Sequence, residues 1–141
     1  MTDATITKTA FFSAPAETVW SFLTDKDKLG LWFHPARADL QQGQDFALVS
    51  AKDGGDGEPI CWGAVLAAER PNRLVYSFTV KPLAGVMTKV TWLLDEVQGG
   101  TRLTLIHEGL DKAAQSPLGL ILALDKGWDE HLAGLRQAVA G

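Results

Sequence analysis

The spacing of apolar positions changes twice along this chain, and each change marks a change of element. Thr5–Phe12 is rich in β-branched and aromatic residues and predicts a first strand that stops at Ser13-Ala14-Pro15. Ser13 fits an N-cap, with Pro15 and Glu17 in the first turn of a helix whose apolar positions are Val19, Trp20, Phe22 and Leu23. Thr24-Asp25 restarts a shorter helix carrying Leu29, Leu31 and Trp32, which His34-Pro35 ends because the residue before proline avoids the helical region.

From Ala36 to Gly109 the period becomes two, predicting strands at Phe46–Ser50, Ile60–Ala68, Arg73–Val80, Val86–Glu96 and Thr101–Glu108. They are separated by a glycine-rich stretch at Lys52–Pro59 and by turns at Glu69-Arg70-Pro71-Asn72, Pro82–Gly85 and Gln98-Gly99-Gly100. Leu74, Tyr76, Phe78 and Val80 share one face; so do Val90, Trp92 and Leu94, and so do Leu103, Leu105 and His107. Short turns between consecutive strands imply an antiparallel meander. The period then returns to helical. Ser116-Pro117 opens a long helix to about Val139, with Ile121, Trp128, Leu132, Leu135 and Val139 on one stripe.

This is an α+β pattern in one domain, residues 1–141. Apolar residues make up 46% and charged residues 21%, which suits a packed core without metal or disulfide support. Five tryptophans are many for 141 residues and need a large core, a cavity or an interface. The net charge of −4 and the absence of any run of Lys or Arg argue against nucleic acid. A single cysteine, Cys61, excludes an internal disulfide and suits a reducing, cytoplasmic setting. The first residues show no signal-peptide pattern, and the longest apolar run, Pro117–Leu124, is too short to span a membrane. Homodimer formation is left open by these features.

Several pieces together resemble the Hsp90 ATPase activator homologue (AHSA1) family, within the START-like (SRPBCC, helix-grip, Bet v 1-like) superfamily. They are Ser13-Ala14-Pro15-Ala16-Glu17-Thr18-Val19-Trp20, Leu31-Trp32-Phe33-His34-Pro35, Glu69-Arg70-Pro71-Asn72-Arg73-Leu74-Val75-Tyr76, Leu103-Thr104-Leu105-Ile106-His107-Glu108-Gly109 and Gly127-Trp128. The resemblance implies a curved antiparallel sheet of about seven strands around the long C-terminal helix, two short helices after the first strand, and a cavity between helix and sheet. Functions that it implies are the carriage of a small hydrophobic or aromatic molecule, a polyketide cyclase or aromatase activity, and association with Hsp90 as a stress protein. The full activator has an extra N-terminal domain that is not in this sequence, which argues against direct stimulation of Hsp90.

Trp128, Ile121, Tyr76, Trp92 and Trp32 are the expected lining of such a cavity, with Asp125 and His107 as its polar groups. Asp125 lies about 40° from the centre of the helical stripe, so it faces a cavity, finds a partner, or sits at the stripe's edge in water. His107 is either a pocket donor or acid/base group, or a strand-end residue held by a backbone carbonyl. Tyr76 is either pocket lining or plain core, and its hydroxyl needs a partner if buried. An enzyme would need Asp125, His107 and Tyr76 to converge. His34, His107, His131 and Cys61 lack the paired spacing of a zinc site, and Asp53–Glu58 lacks the alternating oxygens of a calcium loop. No metal and no cofactor are expected, and core or rim positions are the expectation for the three histidines.

Overall fold

The computed structural model describes residues 5–50, 58–80, 86–110 and 117–140. In chain order they form β1 (Ile6–Phe12), α1 (Ala16–Thr24), a 3₁₀ turn (Lys28–Leu31), β2 (Asp45–Val49), β3 (Pro59–Glu69), β4 (Arg73–Val80), β5 (Thr88–Val97), β6 (Gly100–Glu108) and α2 (Pro117–Ala140). The strands make one antiparallel sheet in the order β1-β6-β5-β4-β3-β2. It is an α+β helix-grip architecture with six strands among the described residues, one fewer than the family resemblance implies. The chain runs from β1 at one edge through α1 to β2 at the other, and the meander then returns to β1.

Each strand face follows the sequence alternation. Leu74 lies opposite Trp92 and Tyr76 opposite Val90, while Val90 lies opposite His107 and Trp92 opposite Leu105. All six residues are buried, so this face is the concave one and carries the core. Gln98 and Gly99 have positive φ values of 48° and 85°, and Val97 pairs with Gly100. That is the two-residue hairpin geometry matching strand twist, and it explains glycine at the second turn position. The turn at Glu69–Asn72 is closed by Asn72 N–H donating to Glu69 O, 2.7 Å, and Asn72 is tied to β5 through Leu94 O and Leu94 N–H.

Three local expectations need correction. Ser13 does not cap α1: Pro15 is the N-cap in extended conformation, with its carbonyl taking the N–H groups of Thr18 and Val19. Proline without an N–H already suits that place, so the helix starts nearer the proline than the serine. The second helix is a single 3₁₀ turn. Asp25 accepts the N–H groups of Asp27 and Lys28 at 2.9 and 3.0 Å, which competes with α-helical bonding there. These bonds, the Lys28 one first, hold the Asp25 carboxyl below its usual pKa. Finally, β3 is not strictly alternating, because its register with β4 shifts between Val65 and Ala67 and leaves Leu66 exposed. The expected Ser116 cap, the Pro82–Gly85 turn and all of the Lys52–Pro59 stretch before Glu58 lie outside the described residues.

The 24-residue α2 is unbroken and crosses the concave face. Its stripe is graded: Trp128, Leu132 and Leu135 are buried, while Ile121 and Val139 are only partly so. Burying a large apolar side chain is worth about 1.5–3 kcal/mol, so the middle of the helix supplies most of its anchorage. Lys8 of β1 holds the outer flank, reaching Asp125 at 2.6 Å and Asp129 at 2.9 Å. Among the described residues no helix is long and apolar enough to cross a membrane.

Candidate ligand site

Trp128 divides the space between α2 and the sheet into two regions of different character. On one side its indole N–H donates to His107 Nδ1 at 3.1 Å. Nδ1 therefore carries no proton, and His107 Nε2–H donates to Thr88 Oγ1 at 2.7 Å. The Thr88 hydroxyl in turn donates to Phe78 O at 2.6 Å. His107 is wholly buried, and burial pushes its pKa down to about 4. Beside it Trp92 Nε1–H donates to Tyr76 Oη at 2.9 Å, and Trp32 Nε1–H donates to Phe22 O at 2.7 Å. Burial raises the Tyr76 pKa. Every side-chain nitrogen and oxygen in this region that is shut off from solvent has a partner, and the Trp32, Trp92 and Trp128 rings meet edge to face at 5.9 and 5.6 Å. This is closed core.

On the other side a crevice of about 120 Å³ opens between α2 and the sheet. Phe33 and His34, just after the 3₁₀ turn, form one wall, and Ile60 and Cys61 of β3 with Phe78 and Val80 of β4 form the second. Ala123, Leu124, Gly127, Trp128 and His131 of α2 complete it. The Trp128 ring lies 5.5 Å from Phe33 and 6.0 Å from Phe78, and His131 sits edge-on to Phe33 at 4.6 Å. His34 and His131 are 5.8 Å apart, ring centre to ring centre. Burial lowers the pKa of both, and their mutual repulsion adds to this at His34. Burial also pushes the Cys61 thiol up to about 12, so it is no thiolate at neutral pH. Among the described residues no three His, Cys, Asp or Glu side chains are arranged to hold a metal.

Of the seven residues expected to line a cavity, Trp128 alone lines this crevice. Tyr76, Trp92, Trp32 and His107 are in the closed core, where the Trp128 ring of α2 reaches down to the Trp92 and His107 rings at 5.6 and 5.9 Å. Asp125 is turned to the outside, its side chain 48% exposed and held by Lys8. Ile121 is partly buried without reaching the crevice. Asp125, on the outside, is thus kept apart from His107 and Tyr76, so the three groups that an enzyme was expected to bring together do not converge. The residues that sequence reasoning missed are Phe33, His34, Phe78, Gly127 and His131 as a set. Leu124, Gly127 and His131 recur at helical spacing beside Trp128, and that second stripe, with a glycine in mid-helix, was the available signal.

A larger groove of about 710 Å³ lies at the far end of α2, between Phe11, Phe12, the Gln98-Gly99 hairpin, Arg136 and Val139. Among the described residues its lining has no imidazole, thiol or carboxylate.

A curved antiparallel sheet gripping one long helix, with an aromatic crevice between them, defines a helix-grip protein of the START-like kind. The chain belongs to the Activator of Hsp90 ATPase homolog 1-like protein family, whose profile matches residues 13–140. No curated protein matches it by sequence. Among solved structures it is similar to CalU16 from Micromonospora echinospora, at 27% identity and a TM-score of 0.76, covering 96% of this chain and 75% of that one. It is also similar to MLL2253 from Mesorhizobium loti, at 22% identity, a TM-score of 0.81 and 96% of both chains. DynU16, a protein of the dynemicin biosynthetic locus, shares 22% identity and a TM-score of 0.79 over 99% of this chain, which spans about half (48%) of the DynU16 chain. The last two likenesses speak to the fold alone.

Proposed function

We propose that this protein acts as a single START-like unit that binds one small, mostly apolar aromatic molecule in the crevice beside Trp128. The observation that carries this reading is Gly127. Glycine inside a helix costs about 1 kcal/mol relative to alanine. Here it faces the crevice, and a Cβ added to it would meet no atom within 4 Å. The chain thus forgoes a side chain where one would fit and would stabilise the helix, next to the rings of Phe33, Phe78 and Trp128. A space of this kind suits a guest.

Size restricts the guest. A volume of 120 Å³ corresponds to about four waters at roughly 30 Å³ each. Typical small-molecule pockets hold about 300–1,000 Å³. A single aromatic ring, or the ringed end of a longer molecule that projects past the rim, is the fitting occupant. Cys61, the one cysteine, is free and buried, in keeping with a reducing compartment such as the cytoplasm.

Gly127→Leu tests the proposal without damaging the fold. Leucine is a strong helix former, so the variant should melt at the same or a higher temperature. It should also lose the binding of toluene, followed by chemical-shift changes at Phe33, Phe78 and Trp128. Toluene binding that is unchanged in Gly127→Leu would place the ligand elsewhere and sink the reading.

A further inference from the structure

We infer that the crevice selects a neutral aromatic molecule bearing a hydroxyl group, and that His131 Nε2 receives that hydroxyl as a hydrogen-bond acceptor. This rests on the proposal that the crevice binds an aromatic guest, and adds the chemistry by which the guest is recognised.

The first support is the tautomer of His131. Its Nδ1 lies 3.3 Å from Trp32 O. A carbonyl oxygen only accepts, so Nδ1 must carry the proton. Burial keeps the imidazole neutral, against the opposing pull of the Trp32 carbonyl and of Glu130. A neutral ring protonated at Nδ1 leaves a lone pair on Nε2, which has no partner among the described residues. A group that donates, such as O–H, satisfies it. A bare hydrocarbon does not.

The second support is where this acceptor stands. The His131 ring is fixed edge-on to Phe33 at 4.6 Å and lies 6.1 Å from the Trp128 ring. A planar guest against those two rings brings a substituent on its rim within reach of the imidazole. The third support is charge. Among the described residues no Lys or Arg lines the crevice. A carboxylate or phosphate placed there would lose its hydration and find no cation, which is costly in an apolar site. His107, the other imidazole that touches Trp128, cannot take the role, because both of its nitrogens are already bonded inside the core.

Three probes of one shape separate the possibilities: para-cresol, toluene and para-toluate, each titrated into the whole chain and followed by NMR. In the native protein para-cresol should bind about tenfold tighter than toluene, the scale of one partly exposed hydrogen bond. Para-toluate should bind more weakly than either. The His131 Nε2 nitrogen resonance should move on adding para-cresol while that of His107 stays. His131→Phe keeps a ring against Phe33 and removes the acceptor. It should erase the tenfold preference, so that para-cresol and toluene bind alike in the variant whatever their common affinity; if it fails to fold, the same ratio is read in His131→Ala.

A para-cresol preference that survives loss of His131 overturns the inference, as does equal binding of para-cresol and toluene, or tightest binding of para-toluate. Those outcomes leave aromatic binding in place wherever toluene is still lost in Gly127→Leu. If none of the three probes binds the native protein, the crevice proposal and this inference fall together.

Discussion

His107 and His131 stand on opposite sides of Trp128, and their surroundings differ in almost every respect. His107 is wholly buried, with one nitrogen accepting from Trp128 and the other donating into Thr88 and on to Phe78 O. His131 is partly exposed, with one nitrogen held by the Trp32 carbonyl and the other without a partner among the described residues. Both imidazoles are kept neutral by burial. What separates them is completeness. A histidine bonded at both nitrogens specifies packing, and one with a nitrogen open to solvent beside an aromatic wall is available for recognition. Trp128 serves both, with its N–H turned to the core and its ring to the crevice.

Removing that divider should have the largest effect. Trp128→Ala empties the middle of α2 and deprives His107 of its donor, so a loss of about 3–5 kcal/mol is expected in urea unfolding. Toluene binding should vanish with it. A loss below about 1 kcal/mol would mean that the two regions do not depend on Trp128.

Acid should distinguish the two histidines next. The folded-state pKa of His107 is about 4, against its ordinary 6.5. Between those values the unfolded chain binds more protons, so stability rises with pH across the window. The contribution is complete above about pH 6.5, is lost as pH falls, and levels off below about pH 4, for a total of roughly 3 kcal/mol. His34 and His131 are shifted in the same direction and add to the slope. Stability measured by denaturant at several pH values should flatten markedly in His107→Phe and only slightly in His131→Phe. Equal flattening in the two variants would mean that the two imidazoles are buried to the same effect.

The smallest effect belongs to the outer flank, which should touch neither region. Asp125 is about half exposed and shares Lys8 with Asp129. The pKa of Lys8 is raised, chiefly by its bond to Asp125. Exposed ion pairs are worth about 0–1 kcal/mol, and Asp129 remains in Asp125→Asn. That variant should therefore lie within roughly 0.5 kcal/mol of the native protein and bind para-cresol unchanged. An altered affinity would connect the flank to the crevice and weaken the division at Trp128.

Much of the fold is legible in the sequence because it follows from local repetition. The alternation in Arg73–Val80, Thr88–Val97 and Gly100–Glu108 decided which side chains share a face, since successive strand residues point to opposite sides. Gln98-Gly99 decided a tight hairpin, and the stripe through Trp128, Leu132 and Leu135 decided one long helix with a buried flank. Those features need only a residue and its neighbours along the chain. Where helix and sheet touch, and where they part, depends on sheet curvature, on the register shift at Val65/Ala67 and on the crossing of α2. No period encodes these. Tyr76, Trp92 and His107 have the pattern of pocket lining and became core because the large Trp128 side chain fills the space between them and α2, while Asp125 turned outward to Lys8 on β1, more than a hundred residues away in the chain. Phe33, Phe78 and His131 come from three distant segments, and only tertiary packing could make them neighbours around the space beside Gly127.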